Sequence, residues 1–76
     1  MTQQLTAKKV KEIQNFAVEQ YRTNMAIEGR SRTPEYMADA LFAQYENAII
    51  EDGMVTGYYR SGYGVMDIPK MPKYTN

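Results

Sequence analysis

The sequence predicts a small α+β fold: an antiparallel two-helix hairpin, then a C-terminal β-hairpin rich in glycine and tyrosine, and an extended tail. Apolar residues recur at three- and four-residue steps through residues 6–28 and again through 33–52, which is typical of amphipathic helices. Residues 53–76 differ in character, because they hold four of the five glycines and four of the seven tyrosines. Two prolines near the end exclude a third helix. We expect one domain.

The first helix is predicted over residues 6–28. Thr6 is a candidate N-cap, and Gly29 is suited to the position after the C-terminus. The predicted buried stripe consists of Val10, Ile13, Ala17 and Tyr21, flanked by Phe16. At about 1.5 Å per residue such a helix is roughly 33 Å long, which is more than the second segment can cover.

The second helix is predicted over residues 33–52. Thr33 caps it, Pro34 fits the first helical position, and Glu35 complements the positive N-terminal end. Its main apolar stripe is Met37, Leu41, Tyr45 and Ala48. A second row at the same spacing predicts a self-association surface: Tyr36, Ala40, Ala43, Asn47 and Ile50. The competing interpretation is that the alanines are only good helix formers.

The β-hairpin is predicted over residues 54–68, with Ser61-Gly62 as its two-residue turn. This register pairs Tyr59 with Gly64 and Tyr58 with Val65. It places Val55 and Tyr59 on one face and Tyr58 on the other. Residues 69–76 form the extended tail, and the sequence leaves open whether this tail is ordered without a partner.

Composition argues against catalysis, because histidine, cysteine and tryptophan are absent. Histidine and cysteine supply most general bases and zinc ligands, so we expect no enzyme, no metal and no cofactor. A chain of 76 residues without disulfides has a thin core, which favours a homodimer. The absence of cysteine and of any apolar leader or membrane-spanning run predicts a small soluble, cytoplasmic protein.

Charge is balanced overall but not along the chain. Residues 1–32 carry six basic and three acidic groups, residues 33–53 carry five acidic and no basic groups, and the remainder is weakly basic. A net charge of zero argues against a strongly basic nucleic-acid binder. Residues 57–64 still interleave tyrosine, glycine and Arg60, so single-stranded nucleic acid is a minor alternative.

The remaining motifs do not indicate a catalytic or cofactor-binding site. Glu35 and Asp39 are four residues apart and share a helix face, but a solvated face is the simpler interpretation of such a pair. Gly62-Tyr63-Gly64 lacks the third glycine and the following helix of a dinucleotide fingerprint. No motif in the chain identifies a family.

The sequence therefore predicts a small non-enzymatic protein-binding module, an inhibitor or regulator that sterically blocks a larger macromolecule. This size is typical of stand-alone inhibitors, including those encoded by phages and mobile elements. The predicted partner-binding residues are Tyr58, Tyr59, Arg60, Tyr63 and Met66. Tyrosine and methionine give adaptable contact area and are enriched at interfaces. The alternatives are a nucleic-acid-binding regulator and a structural subunit of a larger assembly.

Overall fold

The computed structural model describes residues 3–74 and consists of two packed helices followed by a three-stranded antiparallel sheet. This confirms the predicted α+β class. The helices are α1 (Ala7–Glu28) and α2 (Pro34–Phe42). The strands are β1 (Ala48–Glu51), β2 (Met54–Arg60) and β3 (Gly64–Asp67), in the spatial order β1-β2-β3.

Helix α1 begins and ends at the predicted capping residues. The Thr6 hydroxyl accepts the Lys9 N–H at 3.1 Å, and the Gly29 N–H donates to the Met25 carbonyl at 3.0 Å. Its buried residues all lie in its first twelve positions: Val10, Ile13, Gln14, Ala17 and Val18. The last ten residues of α1 bury no side chain fully, as expected for a helix longer than the rest of the domain can cover.

Helix α2 is much shorter than predicted. It starts as expected, with the Thr33 hydroxyl accepting the Tyr36 N–H at 3.2 Å and Pro34 at the first turn, but it ends at Phe42. The predicted helix through residue 52 is wrong, because residues 48–51 form a strand instead. Asp52 and Gly53, which follow that strand, both have positive φ angles, 51° and 80°. Positive φ at both central residues is the geometry of a type I′ turn, so the chain reverses there and forms β1 and β2.

The β2–β3 connection also differs from the prediction. Tyr58 pairs with Met66 and Tyr59 with Val65, one residue away from the predicted register. The loop has three residues rather than two, because the Tyr63 N–H donates to the Arg60 carbonyl at 2.9 Å and closes a turn around Gly62. Gly62 has φ of 86°, which a side chain would disfavour at this position of the turn.

A β-bulge decides which side chains of β2 reach the core. The β1–β2 register shifts between Ile49 and Ile50, so Thr56 is an extra residue on β2. The extra residue breaks the two-residue alternation of the strand. Val55 and Tyr58, three residues apart, therefore both join the core, and the predicted pairing of Val55 with Tyr59 on one face is wrong.

Gly57 lies where β2 and β3 approach each other closely. A Cβ atom added to Gly57 would lie 2.5 Å from the Met66 carbonyl oxygen, nearer than such atoms approach in proteins. Glycine inside a strand usually weakens it. In the structure the glycine is instead what allows β3 to pair at this distance.

The core lies between the helices and one face of the sheet. Its buried members come from the N-terminal segment, both helices and β2: Leu5, Val10, Ile13, Ala17, Ala38, Phe42, Val55 and Tyr58. Partly buried residues of the sheet and of the C-terminal segment pack around it, including Ala48, Met66, Ile68 and Met71. The opposite face of the sheet is open to solvent.

The C-terminal segment folds back onto the helices of its own chain. The Ile68 N–H donates to the Thr56 carbonyl at 3.3 Å, and the buried Gln14 amide donates to the Pro69 carbonyl at 2.7 Å. The tail, whose order the sequence left open, therefore packs on its own chain as far as residue 74. Residues 75 and 76 lie outside the described residues. We call residues 68–74 the strap.

Candidate functional site

The β2–β3 hairpin presents a group of exposed side chains that we call the hairpin surface: Tyr59, Arg60, Tyr63 and Val65. Tyr59, Tyr63 and Val65 are 54%, 69% and 65% exposed. Tyr59 and Val65 are directly opposite each other on neighbouring strands, so their side chains lie on the same face. The Arg60 guanidinium lies 4.0 Å from the centre of the Tyr63 ring, which is a cation–π contact.

Two of the predicted partner-binding residues do not belong to this surface. Tyr58 is 3% exposed and is part of the core. Met66, its cross-strand neighbour, is partly buried and packs against the same core. The assignment of Tyr58 as a binding anchor is therefore wrong, and the reason is the bulge at Thr56 together with the shifted register. Val65, which the sequence did not single out, takes the place opposite Tyr59.

Asn47 fixes the backbone under the hairpin surface. Its side-chain amide donates to the carbonyls of Leu5 and Tyr59 at 2.8 Å and 2.7 Å, and its side-chain oxygen accepts the Leu5 N–H. The Tyr59 N–H donates back to the Asn47 carbonyl at 2.9 Å. Asn47 thus ties the N-terminal segment to the middle strand, and the Tyr59 backbone is held even though its ring is exposed.

The predicted self-association row is not one helix face. Asn47 lies in the turn before β1, where its side chain is engaged as described, and Ile50 lies on β1. Only Tyr36, Ala40 and Ala43 remain as an exposed row at the end of the helical hairpin, with Ala43 as the C-terminal cap of α2. The five-residue row required a helix through residue 50, so its failure follows from the early end of α2.

An open groove separates α1 from the end of α2. It encloses about 570 Å³, and its apolar walls come from Ile13, Phe16, Leu41 and Tyr45. Lys9 and Glu12 lie on its rim with their charged atoms 3.1 Å apart. The hydrogen bond to Glu12 raises the pKa of Lys9 above its ordinary value.

The two carboxylates four residues apart on α2 both make structural contacts. Asp39 accepts the Val55 N–H at 2.7 Å, which joins α2 to the start of β2. Glu35 accepts the Tyr74 hydroxyl at 2.9 Å, which joins α2 to the strap. The expectation of a plain solvated face is therefore wrong, since each carboxylate holds another segment. Within residues 3–74, no group of three or more carboxylates is placed to hold a metal ion.

In the described part of the chain, neither helix has the length and apolarity needed to cross a bilayer. The chain matches no protein-family model, and no curated protein or solved structure is significantly similar to it. Function must therefore be inferred from the surfaces of the molecule itself.

Proposed function

We propose that this protein is a small non-enzymatic protein-binding module, an inhibitor or regulator that blocks a larger partner sterically through its hairpin surface. The observation that carries the proposal is the exposure of Tyr59, Tyr63 and Val65 together on one rigid hairpin. Exposed apolar groups of this size that cluster rather than scatter mark contact surfaces.

The chemistry of the hairpin surface suits a protein partner. Tyrosine and arginine are the residue types most enriched among interface hot spots, since each combines large contact area with hydrogen bonding. Stacking of Arg60 on Tyr63 limits the freedom of both side chains before any partner arrives. A side chain that is already restricted loses less conformational entropy on binding.

The backbone of the hairpin surface is equally restricted. Tyr59 belongs to the middle strand, and its backbone bonds to Asn47 on one side and pairs with Val65 on the other. A partner therefore meets a surface that needs little rearrangement, which is the usual behaviour of preorganised interfaces.

The charges around the hairpin favour protein over nucleic acid. Arg60 is the only basic residue of the hairpin, and Asp67 lies on the same strand pair. Binding to phosphates draws its affinity from several cations that release counterions together. One arginine gives little of that contribution, so nucleic acid is an outcome of the test and not the proposal.

Affinity capture from cells of the native host tests this proposal. The tagged protein is compared with a double variant, Tyr59→Ala with Tyr63→Ala, and with Tyr36→Ala as a matched control. Tyr36 is an exposed tyrosine on α2, where the Arg32 guanidinium stacks on it at 4.6 Å. The control therefore also removes one tyrosine from a cation–π pair, but away from the hairpin.

We expect a stoichiometric protein that is captured by the native chain and by Tyr36→Ala, and that is lost with the double variant. Circular dichroism should show native helix content in all three. Capture that survives the double variant would contradict the assignment of the hairpin surface. Capture that disappears on nuclease treatment would favour the nucleic-acid alternative. The homodimer stays a prediction, and sedimentation of the same samples measures it.

A further inference from the structure

The strap closes one side of a small cavity between the helices and β2. The cavity encloses about 140 Å³ and has apolar walls from Ala38, Phe42 and Val55. Ile68 and Met71 of the strap form its cover. The strap thus occupies an apolar groove that the rest of the domain builds.

The strap contains a short repeat with a period of three. Residues 68–73 read Ile-Pro-Lys followed by Met-Pro-Lys, and Tyr74 begins a third triplet. The side chains at the first position of each triplet are partly buried, while the prolines and lysines are exposed. A polyproline II helix has three residues per turn, so it puts every third side chain on one side. The burial of Ile68, Met71 and Tyr74 matches that period.

Side chains of α1 donate hydrogen bonds to backbone carbonyls of the strap. Gln14 is 4% exposed, and its amide donates to the Pro69 carbonyl at 2.7 Å. The Arg22 guanidinium donates to the Lys73 carbonyl at 3.4 Å. Side chains that bond to backbone carbonyls recognise an extended chain whatever its sequence, while the apolar pockets between them select the side chains.

Tyr74 is the last residue of the strap that the structure describes. Its ring packs edge-on against the Tyr21 ring with centroids 5.0 Å apart, and its hydroxyl donates to Glu35. Beyond Ile68, side chains rather than backbone partners hold the described strap, and its two prolines have no N–H to donate. Segments with few backbone bonds open at lower free energy than the core.

We propose that the groove under the strap is a peptide-binding groove that the chain closes with its own strap. Its occupant in trans is an extended polyproline II peptide of the strap's chemistry, with an apolar residue, a proline and a lysine repeated. The groove side carries two carboxylates, Glu35 and Asp39, against one cation, Arg22. The strap carries Lys70 and Lys73, so the two net charges are opposite in sign. This surface is separate from the hairpin surface and does not depend on it.

The test is titration of a labelled synthetic peptide, with the sequence of residues 67–74, into the full-length protein. The native chain is compared with Tyr74→Ala, which removes the ring contact with Tyr21 and the bond to Glu35. Ile27→Ala is the control, because Ile27 is an exposed apolar side chain near the end of α1 and lines neither the groove nor the hairpin surface. Tyr74→Phe, which keeps the ring and removes the hydroxyl, is the milder opening variant.

We expect the peptide to bind Tyr74→Ala at least about tenfold more tightly than the native chain, because opening raises the fraction of molecules with a free groove. Ile27→Ala should match the native chain, and the affinity of Tyr74→Phe should fall between those of the native chain and Tyr74→Ala. A peptide with both lysines replaced by glutamate should bind at least about tenfold more weakly.

Equal affinity for the native chain and for a folded Tyr74→Ala would overturn the proposal, as would an absence of binding to both opening variants. Affinity that does not change when the lysines become glutamates would also overturn it. If Tyr74→Ala unfolds with loss of helix content, the strap is part of the cooperative core and not a cover. The comparison with Tyr74→Phe then decides whether the groove binds the peptide at all.

Discussion

Two neighbouring tyrosines on β2 have opposite environments. Tyr58 is 3% exposed and touches the core, whereas Tyr59 is 54% exposed and lies on the open face of the sheet. Each tyrosine has a cross-strand neighbour in a similar environment: Met66, opposite Tyr58, is partly buried, and Val65, opposite Tyr59, is exposed. One face of the hairpin packs on the core, and the other is exposed to solvent.

Residue type therefore does not determine whether a side chain of this hairpin packs in the core or faces solvent. Both positions are tyrosine and both are adjacent in sequence, so the assignment depends on the pleat and on one inserted residue, Thr56. A shift of one residue exchanges the faces of a strand. The stability and the binding role of the two tyrosines should therefore separate cleanly on substitution.

The largest expected effect is that of Tyr58→Ala. Removing a buried aromatic side chain leaves a cavity, and the free energy of unfolding should fall by about 3–5 kcal/mol. Tyr59→Ala should change it by no more than about 0.5 kcal/mol, since that ring is mostly in water. Urea unfolding of both variants measures the difference. Similar losses for the two would show that the faces are not distinct.

Local chemistry made the helix termini predictable. Thr6, Gly29 and the Thr33-Pro34 pair act at the expected ends, because capping depends on only a few neighbouring residues. The α+β class was predictable for a similar reason, since the change from helical periodicity to glycine and tyrosine is visible along the chain. The pattern of apolar residues did not predict where α2 ends.

Residues 43–53 contain a local signal for a strand and a turn rather than for a helix. Ala48, Ile49 and Ile50 fit a helical stripe, but a short apolar run fits a strand equally well. The following Asp52-Gly53 is the strongest short-range indication of a two-residue hairpin turn, and it correctly places the reversal. A helix predicted to run to residue 52 excludes this hairpin turn.

The candidate site was predictable in part. Tyr59, Arg60 and Tyr63 are exposed as a binding surface requires, but the sequence alone could not separate Tyr59 from Tyr58. That separation depends on the bulge and on the close approach of Gly57 to Met66, which are properties of strand pairing and not of local sequence. The bridging role of Asn47 likewise joins residues 42 positions apart.

We expect an intermediate loss of folding stability for Asn47→Ala. This variant tests whether the hydrogen bonds of Asn47 hold the backbone of the open sheet face without help from the exposed rings. The substitution leaves the part-buried N–H and carbonyl of Leu5 without their partner, and an unsatisfied buried group costs about 1–3 kcal/mol. Urea unfolding measures the loss. Gln4→Ala is the control, because Gln4 also joins this region but through an exposed bond to Glu46. If both variants lose equally little, the bridge does not hold the hairpin.

The smallest expected effect concerns Tyr74, a third tyrosine whose environment lies between those of Tyr58 and Tyr59. The hydrogen bond to Glu35 and then partial burial raise the pKa of Tyr74 above its ordinary value. Only the neutral phenol donates to Glu35, so the folded state holds this proton more tightly than the unfolded state does. The resulting stabilisation is fully present below about pH 10, the ordinary value, and is lost as the pH rises through the higher folded value.

Thermal unfolding of the native chain and of Tyr74→Phe, from neutral to strongly alkaline pH, tests this sign. The native chain should be the more stable by a constant margin near neutral pH, and the margin should shrink above about pH 10. Tyr63→Phe removes an exposed hydroxyl and serves as the control for the loss of one tyrosine. A margin that stays constant into the alkaline range, or one that grows, would show that the contact with Glu35 does not hold the strap. Tyr74 would then belong with the open-face residues, and the strap would depend on Gln14 and its apolar side chains alone.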